Sequence, residues 1–171
     1  MKTLCLLRHA KSSWDDPTIP DHDRPLAPRG VKAARLVGRH LEQQGIRPDL
    51  ILCSTALRAT KTLHLVLAEL DVQPPVETER GLYLCGAQAL LTRLRKAPDS
   101  ADTLMLLAHN PDIHDLGMSL AGHGDKEARH ALRAKFPTGA CAILVFDIAH
   151  WHEVERGEGR LTAFVQPRML A

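Results

Sequence analysis

The stretch Thr3-Leu4-Cys5-Leu6-Leu7-Arg8-His9 decides the fold, and Thr103-Leu104-Met105-Leu106-Leu107-Ala108-His109 repeats its plan later in the chain. In each stretch, an apolar run without alternation is followed at once by a histidine. Such runs are typical of strands buried on both faces, which indicates a parallel sheet covered by helices. Ligands of such sheets bind outside the carboxyl ends of the strands. If the two strands are neighbours, His9 and His109 meet where this fold places its chemistry.

Length and composition predict one globular domain over residues 1–171. The chain is 44% hydrophobic and 25% charged, which is ordinary for a single core. Its 22 basic residues nearly balance 20 acidic residues and are scattered, so we expect neither a nucleic-acid partner nor a membrane surface. Arg8 interrupts the first apolar run far short of a signal peptide, and the four cysteines lack C-x-x-C spacing. We therefore expect a cytoplasmic protein with buried, reduced thiols.

Predicted strands and helices alternate along most of the chain. Helices are expected at about 30–44, from a Ser54 or Thr55 cap to about 70, at 87–96, and from an Asn110 cap to 122. Strands are expected at 49–53, at 76–78 and before His109, and three more at 140–147, 151–155 and 160–165 close one edge. This order predicts an α/β three-layer sandwich with a largely parallel central sheet and helices on both faces. A long polar loop at 12–28 is a candidate functional segment.

Arg58 lies in the first turn of the helix that follows the 49–53 strand. A cation there opposes the helix dipole and forgoes roughly 0.3 to 1 kcal/mol relative to an acid or a neutral residue. The position is explained if an anion lies between the arginine and the helix end. A solvated surface arginine is the alternative when Arg58 is considered alone.

Arg8 and Arg58 would join the two histidines at one edge of the sheet. Guanidinium groups bind phosphate oxygens in a bidentate manner, and neutral imidazole is a nucleophile near physiological pH. The set suits phosphoryl transfer through a phosphohistidine, with no metal or other cofactor, because the arginines can neutralise the developing charge. Zinc-ligand motifs are absent, and only His150-x-His152 remains, on a strand that we expect to be exposed.

At these residues the chain resembles the histidine phosphatase superfamily, the phosphoglycerate mutase-like enzymes. The Arg-His-Gly signature of that family is matched by Arg8-His9-Ala10, with alanine in the glycine position. This departure, the short length and the 23–30 segment are most similar to SixA-type phosphohistidine phosphatases, and the resemblance continues through 54–60 and 108–111. It implies that His9 is the nucleophile, that Arg8 and Arg58 bind the phosphoryl group, and that His109 donates a hydrogen bond to it. It also implies that the loop after the nucleophile borders the phosphate, which makes Lys11 and Ser13 further phosphate-binding candidates.

Three carboxylates are candidates for the general acid of the site. Larger members of the superfamily take a carboxylate from after the third strand or just after the second histidine, where this chain offers Glu77 and Glu79, or Asp112. We select Glu79 because it precedes a loop that could lean over the pocket. A leaving imidazole could also depart without a dedicated acid, and such an enzyme would favour phosphoramidates over alkyl phosphates.

The sequence therefore predicts a metal-independent phosphatase that hydrolyses phosphohistidine on a protein, such as a phosphorelay protein, through a covalent intermediate on His9. Few residues are left over for lids, which favours an open pocket and a protein substrate. Two alternatives stay open: a phosphatase of small phosphometabolites, and a non-catalytic module that reads phosphate groups.

Overall fold

The computed structural model describes all residues from Met1 to Ala171, which form an α/β fold of seven strands and five α-helices. In chain order the elements are β1 (Lys2–Arg8), α1 (Pro28–Gln43), β2 (Leu50–Ser54), α2 (Leu57–Leu67), β3 (Val76–Glu79), α3 (Ala87–Leu94), β4 (Thr103–Ala108), α4 (Asp112–Leu120), β5 (Ala121–Gly124), α5 (Lys126–Ala134), β6 (Cys141–Phe146) and β7 (Gly159–Val165). None of the helices has the length and apolar character needed to span a membrane.

The two histidine-ended strands are neighbours in the sheet, as predicted. The strand order is β3-β2-β4-β1-β6-β7-β5, and β1 pairs with β4 in parallel, from Thr3 opposite Thr103 to Arg8 opposite Ala108. Strands β2 and β3 continue the parallel half of the sheet, whereas β6 runs antiparallel to both β1 and β7. Parallel pairing in register brings the carboxyl ends of β1 and β4 to the same edge.

Apolar side chains of β1 and β4 fill a separate core on each face of the sheet. Leu4 and Leu6 belong to the cluster that packs against α3 and α4, whereas Cys5 and Leu7 belong to the cluster that packs against α1 and α2. All four side chains are fully buried. Alternate residues thus bury opposite faces, which explains why the strands are apolar throughout and confirms the three-layer sandwich.

The sheet edge after β6 differs from the prediction. The expected strand at 151–155 is a 3-10 turn at Trp151–Glu153, in which the fully buried Trp151 donates from Nε1 to the carbonyl oxygen of Ala101 at 2.7 Å. Its place in the sheet is taken by β5, which pairs in parallel with β7 and leads into α5. Strand β5 has four residues, two of them glycine, so it lacks the apolar pattern that predicts a strand.

Two predicted helix caps are wrong. Helix α4 begins at Asp112, after a cis peptide bond between Asn110 and Pro111, and the Asn110 amide instead donates to the carbonyl oxygen of Phe136 at 3.0 Å. Helix α2 begins at Leu57 and has no side-chain cap. Local spacing suggested both caps, but tertiary partners recruit these polar side chains for the site described next.

Candidate active site

His9 and His109 follow β1 and β4 directly, and their rings lie 5.1 Å apart between centroids. The backbone of His9 extends the strand pairing, because its N–H donates to the carbonyl oxygen of Ala108 at 3.3 Å. Only 6% of His9 and 1% of His109 is exposed to solvent. The parallel register therefore brings both imidazoles to one largely dry position, as the sequence predicted.

The His9 ring is held as a neutral imidazole with Nε2 free to act. Its Nδ1 lies 2.8 Å from the carbonyl oxygen of Ala10, which can only accept, so Nδ1 carries the proton and Nε2 the lone pair. Burial lowers the pKa of His9 to about 3; the bond to Ala10 opposes this, while His109, Arg58 and Arg8 lower it further. At neutral pH, His9 is therefore unprotonated at Nε2, the form in which an imidazole can act as a nucleophile.

Ser54 fixes the same Nδ1–H tautomer in His109. The Ser54 Oγ accepts from the backbone N–H of Ala56 at 3.2 Å and lies 2.7 Å from Nε2 of His109. No other acceptor is within reach of the buried hydroxyl, so its hydrogen points to Nε2 and the ring proton lies on Nδ1. Burial, followed by the charge of Arg58, lowers the pKa of His109 to about 4. His109 thus presents a neutral Nδ1–H, a buried donor for which the protein supplies no acceptor.

Arg8 and Arg58 also present buried donors without protein acceptors. Nη1 of Arg8 donates to the carbonyl oxygen of Phe136 at 2.9 Å, but its Nε has no partner. Arg58, only 4% exposed, gives Nη1 and Nη2 to the carbonyl and carboxylate oxygens of Asp21 at 2.7 and 3.0 Å, and its Nε has none. Buried donors are normally satisfied. These two Nε–H groups and the His109 Nδ1–H are therefore candidate donors to an anion.

His9, His109, Arg8 and Arg58 line one open cavity of about 210 Å³. Of the two further phosphate-binding candidates that the resemblance implies, Lys11 also lines the cavity, whereas Ser13 does not. The Ser13 Oγ accepts from the backbone N–H of Asp15 at 3.1 Å, and the neighbouring Ser12 lines the cavity instead. The remaining lining residues, which sequence reasoning did not place there, are Trp14, Arg24, Leu84, Asn110 and Thr138.

Arg24 is the main lining residue that sequence reasoning did not single out. It is 6% exposed, its guanidinium lies 3.5 Å above the ring of Trp14, and its Nη1 donates to the Ser12 Oγ at 2.6 Å. The available signal was its place in the 23–30 segment, which is part of the family resemblance. Arg24 brings a third guanidinium group to the cavity.

Asp21 connects two of these arginines from behind the cavity. Its Oδ2 accepts from Arg58 and from the Tyr83 hydroxyl, and its Oδ1 accepts from Arg24 at 3.2 Å. Burial raises the pKa of Asp21, but the hydrogen bonds from Tyr83, Arg58 and Arg24 outweigh it and lower the pKa to about 2. Asp21 is therefore an ionised anchor of the arginines and a poor proton donor.

The structure does not bring the predicted general acid to the cavity. Both oxygens of Glu79 accept from Nε of Arg93, at 2.9 and 3.0 Å, and Glu77 pairs with the same guanidinium. Asp112 is buried near the second histidine but does not line the cavity. Arg93 lies on α3, so the ion pair that holds Glu79 away from His9 depends on tertiary packing. No group of three or more His, Cys, Asp or Glu residues is placed to hold a metal ion.

Two neutral histidines and three arginines thus line one cavity of an α/β sandwich, and this set of side chains is suited to a phosphoryl group. The family model of the histidine phosphatase superfamily, branch 1, matches residues 4–83. An uncharacterised protein of Mycobacterium tuberculosis is 37% identical over 164 residues, which cover 95% of this chain and 100% of that protein.

Solved structures of candidate members of the same superfamily are similar to almost the whole chain. A candidate phosphohistidine phosphatase SixA from Nakamurella multipartitia is 30% identical, with a TM-score of 0.83 over 97% of this chain and 96% of that one. Its counterpart from Agrobacterium tumefaciens is 27% identical, with a TM-score of 0.82 over 97% and 98%. The chain belongs to the histidine phosphatase superfamily.

Proposed function

We propose that this protein is a metal-independent phosphohistidine phosphatase that acts on a protein substrate through a phosphorylated His9. The observation that carries the proposal is the set of three buried N–H donors without protein acceptors, on Arg8, Arg58 and His109, which line the same cavity as the neutral His9. The similarity to candidate SixA phosphatases supports the same substrate class. Free cysteines, three of them buried, fit the cytoplasmic location that the proposal includes.

The first chemical step transfers the phosphoryl group between two imidazoles. Nε2 of His9 forms a P–N bond as the P–N bond of the substrate breaks, and the substrate imidazole keeps the electron pair. Charge that develops on the phosphoryl oxygens is met by the Nε–H groups of Arg8 and Arg58 and by Nδ1–H of His109. In the second step water attacks the phosphorus, which releases inorganic phosphate and returns His9 to its neutral form.

Because no carboxylic acid lines the cavity, the site favours substrates whose leaving group needs no proton from the protein. An alkoxide needs a proton as it leaves, whereas a phosphohistidine that carries a proton on its other ring nitrogen leaves as neutral imidazole. Asp21, with a pKa of about 2, cannot supply a proton at neutral pH, and Glu79 is paired with Arg93. The site is therefore suited to phosphoramidates.

Exposed apolar side chains at the cavity mouth favour a phosphohistidine carried on a protein. Trp14 is 67% exposed and Leu84 is 52% exposed, and both line the cavity. No helix or loop of the chain covers them, so a bulky substrate can approach His9 and bury this apolar surface.

The test compares turnover of a phosphohistidine peptide with turnover of a panel of sugar and nucleotide phosphates. We expect kcat/KM for the peptide to exceed that for every ester, and equal or better turnover of the esters would identify a phosphatase of small metabolites.

A trapping experiment separates catalysis from simple phosphate reading. Acid-labile radioactive phosphate should accumulate on the wild-type protein and be absent from His9→Ala. If no donor yields trapping or turnover, the protein is a reader of phosphate groups and the proposal fails.

A further inference from the structure

A basic groove lies beside the proposed catalytic cavity and shares Lys11 and Thr138 with it. The groove measures about 530 Å³, against about 210 Å³ for the catalytic cavity. Its walls come from the first turns of α1, from the segment between α5 and β6, and from the residues after β7. The groove therefore adjoins the catalytic cavity, and Lys11 and Thr138 lie at the boundary between them.

The charge of the groove is one-sided. Five cationic side chains line it and no Asp or Glu side chain does; the cations are Lys11, Arg29, Lys32, Lys135 and Arg168. None of the five takes part in a salt bridge, although the chain forms ten such pairs elsewhere.

Acidic residues are concentrated instead around a cavity at the far end of the sheet. That cavity is lined by the four acidic residues Asp147, Glu153, Glu155 and Glu158. The net charge of the chain is only +2, so the balance of charges in the sequence conceals two regions of opposite sign. A positively charged concave surface raises the local concentration of anionic partners and speeds their association.

The remaining lining residues indicate a peptide chain rather than a small anion. Ala33, Leu36, Pro137 and Pro167 give the groove apolar surface between the cations. Gln166 also lines it, is 5% exposed, and has a buried Oε1 without a hydrogen-bond donor. A phosphate ion has neither an apolar surface nor an N–H group, whereas a polypeptide has both.

We propose that this groove is the docking surface for an acidic segment of the phosphohistidine protein, next to its phosphorylated histidine. The inference rests on the proposed function, because the occupant of the groove is the substrate of the neighbouring site. The four cations that line the groove alone, Arg29, Lys32, Lys135 and Arg168, act before chemistry, by attracting and aligning the substrate. They should therefore affect KM and association, and leave kcat unchanged.

The experiment uses two short synthetic peptides with the same central phosphohistidine, one flanked by Glu and Asp and the other by Gln and Asn. Free N-phosphohistidine serves as the substrate that cannot reach the groove. The test variant is Lys32→Glu with Lys135→Glu. The matched control is Lys96→Glu with Lys126→Glu, which changes net charge equally at exposed lysines that line neither cavity and make no salt bridge.

We expect wild type to show a lower KM for the acidic peptide, and the groove variant to lose about tenfold in kcat/KM on that peptide alone. The control variant should keep the preference, and all three proteins should hydrolyse free N-phosphohistidine at the same rate. Raising ionic strength to ~0.5 M should remove the preference, because the Debye length then falls to a few ångströms.

Each failure has its own signature. Equal kcat/KM for both peptides in an enzyme that hydrolyses free N-phosphohistidine would overturn the docking surface and leave the proposed function intact. Absence of hydrolysis with every phosphohistidine probe would overturn the proposed function. In that case, fluorescence anisotropy would measure the affinity of the unphosphorylated acidic peptide. Equal affinity for wild type and the groove variant would refute the docking surface.

Discussion

Ser54→Ala isolates the hydrogen bond that fixes the tautomer of His109. Both side chains are buried, at 0% and 1% exposure, and the Ser54 Oγ lies 2.7 Å from Nε2 of His109. Without the hydroxyl, nothing holds the ring proton on Nδ1, and only the Nδ1–H form donates into the catalytic cavity. The substitution therefore removes the proposed catalytic donor for part of the population, although Ser54 itself does not line the cavity.

The loss of kcat in Ser54→Ala cannot exceed the loss caused by removing the His109 donor altogether. Loss of one preorganised transition-state donor costs about 10²- to 10³-fold in kcat, which sets the expected result for His109→Ala. Ser54→Ala keeps the ring and part of the correct tautomer, so we expect a smaller loss of kcat than for His109→Ala, between about threefold and 100-fold, or about 0.7 to 2.7 kcal/mol. KM should hardly change, because Arg8 and Arg58 remain. The unpaired Nε2 and Ala56 N–H should lower the free energy of unfolding by about 1 to 3 kcal/mol.

The assay measures kcat and KM on free N-phosphohistidine together with ¹⁵N NMR of the His109 ring. Ser54→Ala should shift the tautomer equilibrium, whereas Ser54→Thr, which keeps a hydroxyl, should restore the Nδ1–H form and most of kcat. The reasoning is refuted if Ser54→Ala stays folded with kcat within about threefold of wild type. It is equally refuted if the His109 ring shows the same tautomer in both proteins.

Three other changes test the site. Arg58→Ala should lower kcat about 10²-fold or more, because the phosphoryl group loses a charge-assisted donor, and unchanged turnover would remove Arg58 from the site. Glu79→Gln should leave kcat within about twofold of wild type, since its partner is Arg93; a tenfold loss would restore Glu79 as the general acid. The pKa of His9 falls from 6.5 to about 3 on folding, so the unfolded chain binds more protons between these values and stability declines as pH falls below 6.5. His9→Gln should therefore flatten the pH profile of urea unfolding by up to about 1.4 kcal/mol per pH unit in that range, and parallel profiles would contradict the shift.

The sequence predicts the parts of the site that follow from strand and helix geometry. Apolar runs with no alternation place His9 and His109 at one sheet edge, and a cation in the first turn of α2 points to an anion beside Arg58. Both inferences need only local pattern and the rule that parallel strands end on the same side. The structure places both histidines and both arginines around one cavity.

Contacts between distant segments account for what the sequence did not predict. Glu79 seemed well placed for an acid, but Arg93 on α3 binds it from another layer of the fold. Ser54 and Asn110 have good capping chemistry, yet each is used by a partner that lies far away in the chain. The choice among several partners for a polar side chain depends on packing, and single-sequence patterns do not contain that information.

The position of Asp21 explains how a site without a carboxylic acid remains matched to its proposed substrate. Three guanidinium groups next to neutral histidines would hold more positive charge than a phosphoryl dianion needs, and would repel one another when the site is empty. Asp21 bonds to Arg58 and Arg24 from outside the cavity, so the four groups together carry two net positive charges. The same bonds keep Asp21 ionised, with a pKa of about 2, and prevent it from acting as an acid. One carboxylate thus orients two arginines and supplies no proton to the leaving group. The imidazole of a phosphohistidine can leave without a proton from the protein, whereas the alkoxide of an alkyl phosphate cannot.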